Sequence, residues 1–138
     1  MRIQIELAHG GDERVAPKSL LYIRQPTPRE AENEPGALGV LRLRGVQFLT
    51  SDSFTDLAEE FRAHIPLAAL TTPSGHPIWV NLGSVVDWDP SPTSAHPDAK
   101  SWLVFGTGPR APRLAVRETR EKLTQTWAAL GQDDSIFG

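Results

Sequence analysis

Short runs of alternating apolar and polar residues dominate the chain, each bounded by glycine, proline or charge. Ile3 to Ala8 is the first such run, and Ala68 to Thr72 is a second. A two-residue period is the signature of a strand with one buried face. Each run leads into a Gly-containing turn, Gly10-Gly11 or Ser74-Gly75, and returns through Val15 or through Ile78-Trp79-Val80. Third segments follow at Leu20 to Ile23 and Val85 to Trp88. Further strands are predicted at Val40 to Leu43 and Phe48 to Thr50, and again at Trp102 to Phe105 and Leu114 to Val116. The period then changes to that of a helix. Phe54, Leu57, Phe61 and Ile65 share one helical face, as do Leu123, Trp127 and Leu130. Ser53, with Asp56 three residues on, predicts a capping box, and Thr119 takes the same place before the second helix.

These elements come in the same order twice. At an offset of 65 residues Ile5 falls on Leu70, Gly10 on Gly75, Val15 on Val80 and Ser19 on Ser84, without a gap. Proline-rich polar inserts follow, Gln25 to Gly39 and Pro90 to Ser101. Beyond them the offset becomes 62 and then 66, bringing Ser53 onto Thr119, Leu57 onto Leu123 and Phe61 onto Trp127. The changes of offset lie in loops, where insertions are tolerated. The expectation is a mainly β, α+β chain of two tandem repeats, residues 1–65 and 66–131, followed by a flexible tail, 132–138. Each repeat would be a small four- to five-stranded antiparallel sheet or barrel with one C-terminal helix, the two packed as a pseudo-dimer.

The two copies agree on one strand face and differ on the other. Leu21, Ile23, Leu41 and Leu43 correspond to Val86, Trp88, Leu103 and Phe105, apolar in both. On the opposite face Arg14, Val40 and Arg42 correspond to Trp79, Trp102 and Val104. Two tryptophans on a nominally solvent-facing surface need a cover. Either this face packs on the first copy or its long loop, or it docks another protein, tryptophan being enriched at binding hot spots.

Composition narrows the function. Of 138 residues, 39% are hydrophobic and 22% charged, as in ordinary globular domains. Cysteine is absent, which removes disulfides, thiolate zinc sites and thiol nucleophiles. No apolar run nears the roughly 18 residues of a membrane span, and the N-terminal residues lack the apolar core of a signal peptide, so no membrane insertion and a cytoplasmic location are expected. A net charge of −3 is unusual for a domain dedicated to nucleic acid. The concentrated basic segment is Arg110, Arg113, Arg117, Arg120 and Lys122, which could meet phosphates or an acidic partner.

Catalytic patterns fail one by one. Gly106-Thr107-Gly108-Pro109-Arg110-Ala111 fits a dinucleotide fingerprint in form only. That motif requires a helix to begin there, whereas prolines and a strand follow, so a hairpin loop is expected. His9, His64, His76 and His96 show no metal-pair spacing. Asp87 and Asp89 share a strand face but have no third ligand in view. Glu30, Glu32 and Glu34 read as a solvated run within the proline-rich loop. The reading is therefore non-enzymatic, with no catalytic residue, metal or cofactor.

Gly75-His76-Pro77-Ile78-Trp79-Val80-Asn81, Val85-Val86, the strand at Trp102 to Phe105, and Val116-Arg117-Glu118-Thr119-Arg120-Glu121-Lys122-Leu123 together resemble small FlbD-type flagellar and swarming-motility proteins. The resemblance covers residues 70–127 and implies a small β-rich regulator without catalytic residues. The first copy departs from it, with Val15-Ala16-Pro17 in place of the Val-Asn pair and Asp52-Ser53 in place of Glu-Thr. In outline the same region is also similar to LytTR-type DNA-binding domains. The leading expectation is an adaptor or regulator that binds another protein through Trp79, Trp102, Val104, Arg113 and Arg117. The alternatives are a DNA-binding regulator using the 110–122 segment and a structural subunit of a phage or secretion-type assembly. Homo-oligomerisation is left open.

Overall fold

The computed structural model describes residues 1–90 and 96–138 and turns the alternating runs into ten strands and three helices. In chain order these are β1 (Ile3–Glu6), β2 (Asp12–Val15), β3 (Leu20–Arg24), α1 (Pro28–Asn33), β4 (Gly39–Leu43), β5 (Val46–Thr50) and α2 (Phe54–Arg62). They continue as β6 (Leu67–Thr71), β7 (Pro77–Asn81), β8 (Asp87–Pro90), β9 (Ser101–Val104), β10 (Arg113–Val116) and α3 (Arg120–Ala129). Single 3-10 turns sit at Pro17–Ser19, Leu82–Ser84 and Ser135–Phe137. Among the described residues every strand pairing is antiparallel, so the chain is α+β and rich in β structure. No helix among the described residues is long and apolar enough to cross a membrane.

The order strand, strand, 3-10 turn, strand, strand, strand, helix holds over residues 3–62 and again over 67–129, with α1 an addition to the first. Individual bonds recur with it. The Gly10 N–H donates to the Leu7 carbonyl and the Gly75 N–H to the Thr72 carbonyl, both glycines at positive φ (+103° and +94°), where a side chain would be strained. The Ser51 N–H reaches the Glu6 carbonyl and the Arg117 N–H the Thr71 carbonyl, each at 2.9 Å. The Glu6 N–H reaches the Asp52 carboxylate and the Thr71 N–H the Glu118 carboxylate, each at 3.0 Å. Both bonds tie a half's first strand to the end of its last. Ser53 and Thr119 accept from the N–H groups of Asp56 and Lys122 at the two helix starts.

The sheets cross the boundary between halves. The five-stranded sheet has the order β5-β4-β3-β7-β6, so β7 of the second half lies on the edge of β3. Tyr22, Ile23 and Arg24 stand opposite Val80, Trp79 and Ile78. This sheet separates two cores. On one side Ile23, Leu41, Leu43 and Leu67 join Ile3, Ile5, Val15, Leu57 and Phe61. On the other Leu21, Leu70, Ile78 and Val80 join Leu103, Phe105, Leu123 and Trp127. The three-stranded sheet β10-β9-β8 closes that second core. A buried polar link crosses beside the β3–β7 pair. Asn81 donates its amide to the Leu20 carbonyl at 2.9 Å, and the Ser84 hydroxyl donates to the same oxygen at 2.7 Å.

Several details differ from the sequence reading: β8 begins at Asp87 rather than at Val85, and Val86, matched to the core face, is 46% exposed. The run containing Glu30 and Glu32 is α1, not a solvated linker. Thr27 and Glu30 form a full capping box around Pro28, and Glu30 also bonds Arg24 at 2.6 and 2.9 Å. At Ser53 the box is half made, since Ser53 accepts from Asp56 through its N–H alone. Residues 132–138, expected as a flexible tail, close in a turn that buries Phe137 to 3% exposure. Its ring stands edge-on to Trp127 at 4.9 Å. The proline-rich insert expected from Pro90 to Ser101 runs through 91–95, which lie outside the described residues.

Candidate functional site

The register of β8, β9 and β10 arranges two rows across the outer face of the three-stranded sheet. Asp87, Val104 and Arg113 make one row, and Asp89, Trp102 and Ala115 the other. Alternation turns the residues between them inward, so Trp88, Leu103 and Leu114 pack on the second core. Trp102 and Val104 belong to neither core. Trp102 is half-buried on its own sheet, and Val104 is 6% exposed. Arg113 and Asp89 meet at 3.3 Å. The bridge crosses β9 on the diagonal, from the row of Val104 to the row of Trp102. Both ends are substantially exposed, so the pair contributes less than about 1 kcal/mol and acts chiefly to hold the arginine in place. Beside it lies a depression of about 330 Å³, lined by Asp87, Asp89, Val104, Thr107 and Arg113 among others.

The first half carries the matching rows, Tyr22, Arg42 and Gln47, and Arg24, Val40 and Leu49. The same diagonal recurs there as a weak contact from Arg24 to Gln47 at 3.5 Å. That face is occupied. α1 sets Glu30 on the Arg24 guanidinium, and Val40 is fully buried. The hydrogen bond to Arg24 holds the Glu30 carboxyl down at about 2, and the same contact raises the Arg24 guanidinium.

The predicted site residues therefore divide. Trp102, Val104 and Arg113 come together on one face. Trp79 does not join them. It packs on the first core, with the Arg62 guanidinium 5.6 Å from its ring centre. Arg117 lies beyond the end of β10 and donates to the Pro73 carbonyl at 2.9 Å, with Asp98 at 3.5 Å. Arg120 stands over Trp88, its guanidinium 5.6 Å from the ring centre. Arg110 and Lys122 are exposed and form no ion pair among the described residues. The Gly106 to Ala111 segment joins β9 to β10, closed by the Phe105 N–H donating to the Pro112 carbonyl at 2.9 Å.

Two features of this region were not singled out from sequence as part of a binding face. Asp87 and Asp89 frame the Trp102 face, and strand alternation alone would have placed them there once β8 and β9 were paired. Phe137 left no periodic signal, standing seven residues beyond Leu130 in a glycine- and aspartate-containing segment. Among the described residues no group of three or more His, Cys, Asp or Glu could hold a metal ion. Compared with known proteins, the chain matches no family model, no curated protein and no solved structure.

Proposed function

We propose that this chain is a non-catalytic adaptor or regulator that holds another protein on the outer face of β8-β9-β10, and that its halves are tandem copies of one unit. The observation that carries the binding reading is the half-buried Trp102 on the central strand, outside both core clusters, with the buried Val104 beneath the same face and Asp87, Asp89 and Arg113 around it. An aromatic anchor inside a charged rim is the composition of a protein interface, where a few large side chains supply most of the affinity. The duplication is supported by the recurring bonds at Glu6 and Thr71, at Gly10 and Gly75, and at the two helix caps. The reading agrees with the non-catalytic role that the FlbD-type resemblance implies.

The test uses the immobilised full chain as bait for soluble cell proteins, with Trp102→Ala as control. A partner retained by the wild type and lost by Trp102→Ala, with the circular-dichroism spectrum unchanged, supports the reading. Mixed-sequence duplex DNA is titrated in parallel by anisotropy. DNA binding that tightens steeply at low salt and disappears in the Arg113→Ala/Arg117→Ala double variant replaces it with the nucleic-acid reading. Identical protein capture by wild type and Trp102→Ala removes the Trp102 face.

A further inference from the structure

The equivalent strands β3 and β8 have unequal neighbours. β3 is paired on both edges, with β4 and with β7, while among the described residues β8 pairs with β9 alone. On β3 the added strand sets Trp79 opposite Ile23, and the tryptophan completes the first core under the Arg62 guanidinium. On β8 the residue at the place of Ile23 is Trp88, which faces the second core under Arg120. No strand brings it an opposite number. The C-terminal turn supplies one instead, with Phe137 6.3 Å from the Trp88 ring and 4.9 Å from Trp127. The fit is incomplete. Among the described residues the buried Trp88 indole N–H has no acceptor, and the Trp88 backbone N–H donates to the neighbouring Asp87 carboxylate at 2.8 Å rather than to a strand.

We propose that the open edge of β8 is a docking site for an extended strand of a partner protein, carrying one large apolar residue between two basic ones. Phe137 holds the place of that apolar residue in the chain alone. The inference rests on the adaptor reading and adds to it a strand edge that shares Asp87 and Asp89, the latter 3.3 Å from Arg113, with the Trp102 face. Main-chain hydrogen bonds to an exposed edge provide affinity in strand addition, and alternate side chains provide selectivity. The β3–β7 register puts the partner's apolar residue opposite Trp88 and its flanking residues opposite Asp87 and Asp89. Two carboxylates side by side on the edge select basic neighbours, since like charges directly opposite are destabilising. A second copy of this chain is the wrong occupant. Its β2, the counterpart of β7, would set Glu13 against Asp89 and Arg14 against Trp88. Pro90, which lacks an N–H, limits the added strand to a few residues.

The experiment titrates the full chain into fluorescein-labelled synthetic peptides by anisotropy, a Lys-Phe-Lys centre flanked by threonine and valine against the same peptide with Glu-Phe-Glu. The expected result is at least tenfold tighter binding of the lysine peptide. The preference reverses in Asp87→Lys/Asp89→Lys, and the lysine peptide binds more tightly to Phe137→Ala. Trp102→Ala leaves peptide binding unchanged. Equal affinity for the two peptides overturns the inference, as does a preference unaltered by the Asp87/Asp89 reversal. So does the absence of binding to both wild type and Phe137→Ala. If Trp102-dependent capture of a protein stands while the peptides fail, the edge site falls and the adaptor reading remains.

Discussion

Exchanging one buried hydroxyl between facing strands of the first half tests whether the two halves obey the same rules. In the first half the Thr50 hydroxyl donates to the Asp52 carbonyl at 2.9 Å and stands opposite Gly39. In the second half the hydroxyl comes from the facing strand, where Ser101 donates to the Glu118 carbonyl at 2.8 Å and stands opposite Val116. Gly39→Ser with Thr50→Val would copy the second arrangement into the first. Alone, Gly39→Ser is crowded, because a Cβ there would lie 2.6 Å from Leu57 Cδ1 and 2.8 Å from the Asp52 carbonyl oxygen. Overpacking of this kind destabilises by about 1–3 kcal/mol. Thr50→Val alone removes the hydroxyl partner of the Asp52 carbonyl at a fully buried position, a loss of about 1–3 kcal/mol. Together the introduced serine hydroxyl serves Asp52, so the double variant is less destabilised than the sum by about 1 kcal/mol. Equilibrium urea unfolding of the four proteins measures this. With a slope of about 1–3 kcal/mol/M, the coupling displaces the double variant's midpoint by about 0.3–1 M from the additive value. Additivity within about 0.5 kcal/mol would refute the idea that the two hydroxyls are interchangeable solutions to one need.

Glu30 gives a pH signature. Its folded carboxyl, held at about 2 by Arg24, lies below its ordinary value of 4.5, so its contribution to stability is complete above 4.5 and fades as the pH falls toward 2. Carbon NMR of the Glu30 carboxyl should show this low midpoint, and Glu30→Gln should flatten stability across that acid window; an ordinary midpoint would mean that α1 is not docked on Arg24. Trp79→Ala should lower unfolding stability by about 2 kcal/mol, since the indole covers the first core, while Trp102→Ala should lower it by less than about 1 kcal/mol. Equal losses for the two tryptophans, measured by urea unfolding, would place Trp102 in a core as well.

Local order was legible in the sequence because its causes are local. The alternation of Ile3 and Ile5, the positive-φ glycines at 10 and 75, and the hydroxyl caps at Ser53 and Thr119 act within a few residues, and each appears where the pattern puts it. α1 was equally local, written in Thr27-Pro28-Arg29-Glu30, but the density of prolines and glutamates around it reads as linker. The tertiary structure decided which strand edge is taken. Nothing within β3 or β7 states that they pair, since strand pairing depends on the shape and burial of residues far apart in the chain. That pairing turned Trp79 onto the first core and left Trp102 outside both cores, although a one-dimensional comparison puts them on the same face. Among the described residues it also left β8 paired with β9 alone, with the Phe137 ring, from the far end of the chain, 6.3 Å from that of Trp88. Period and turn chemistry determine what a segment becomes; the competition among segments for the same edges and cores determines which of its faces meets water.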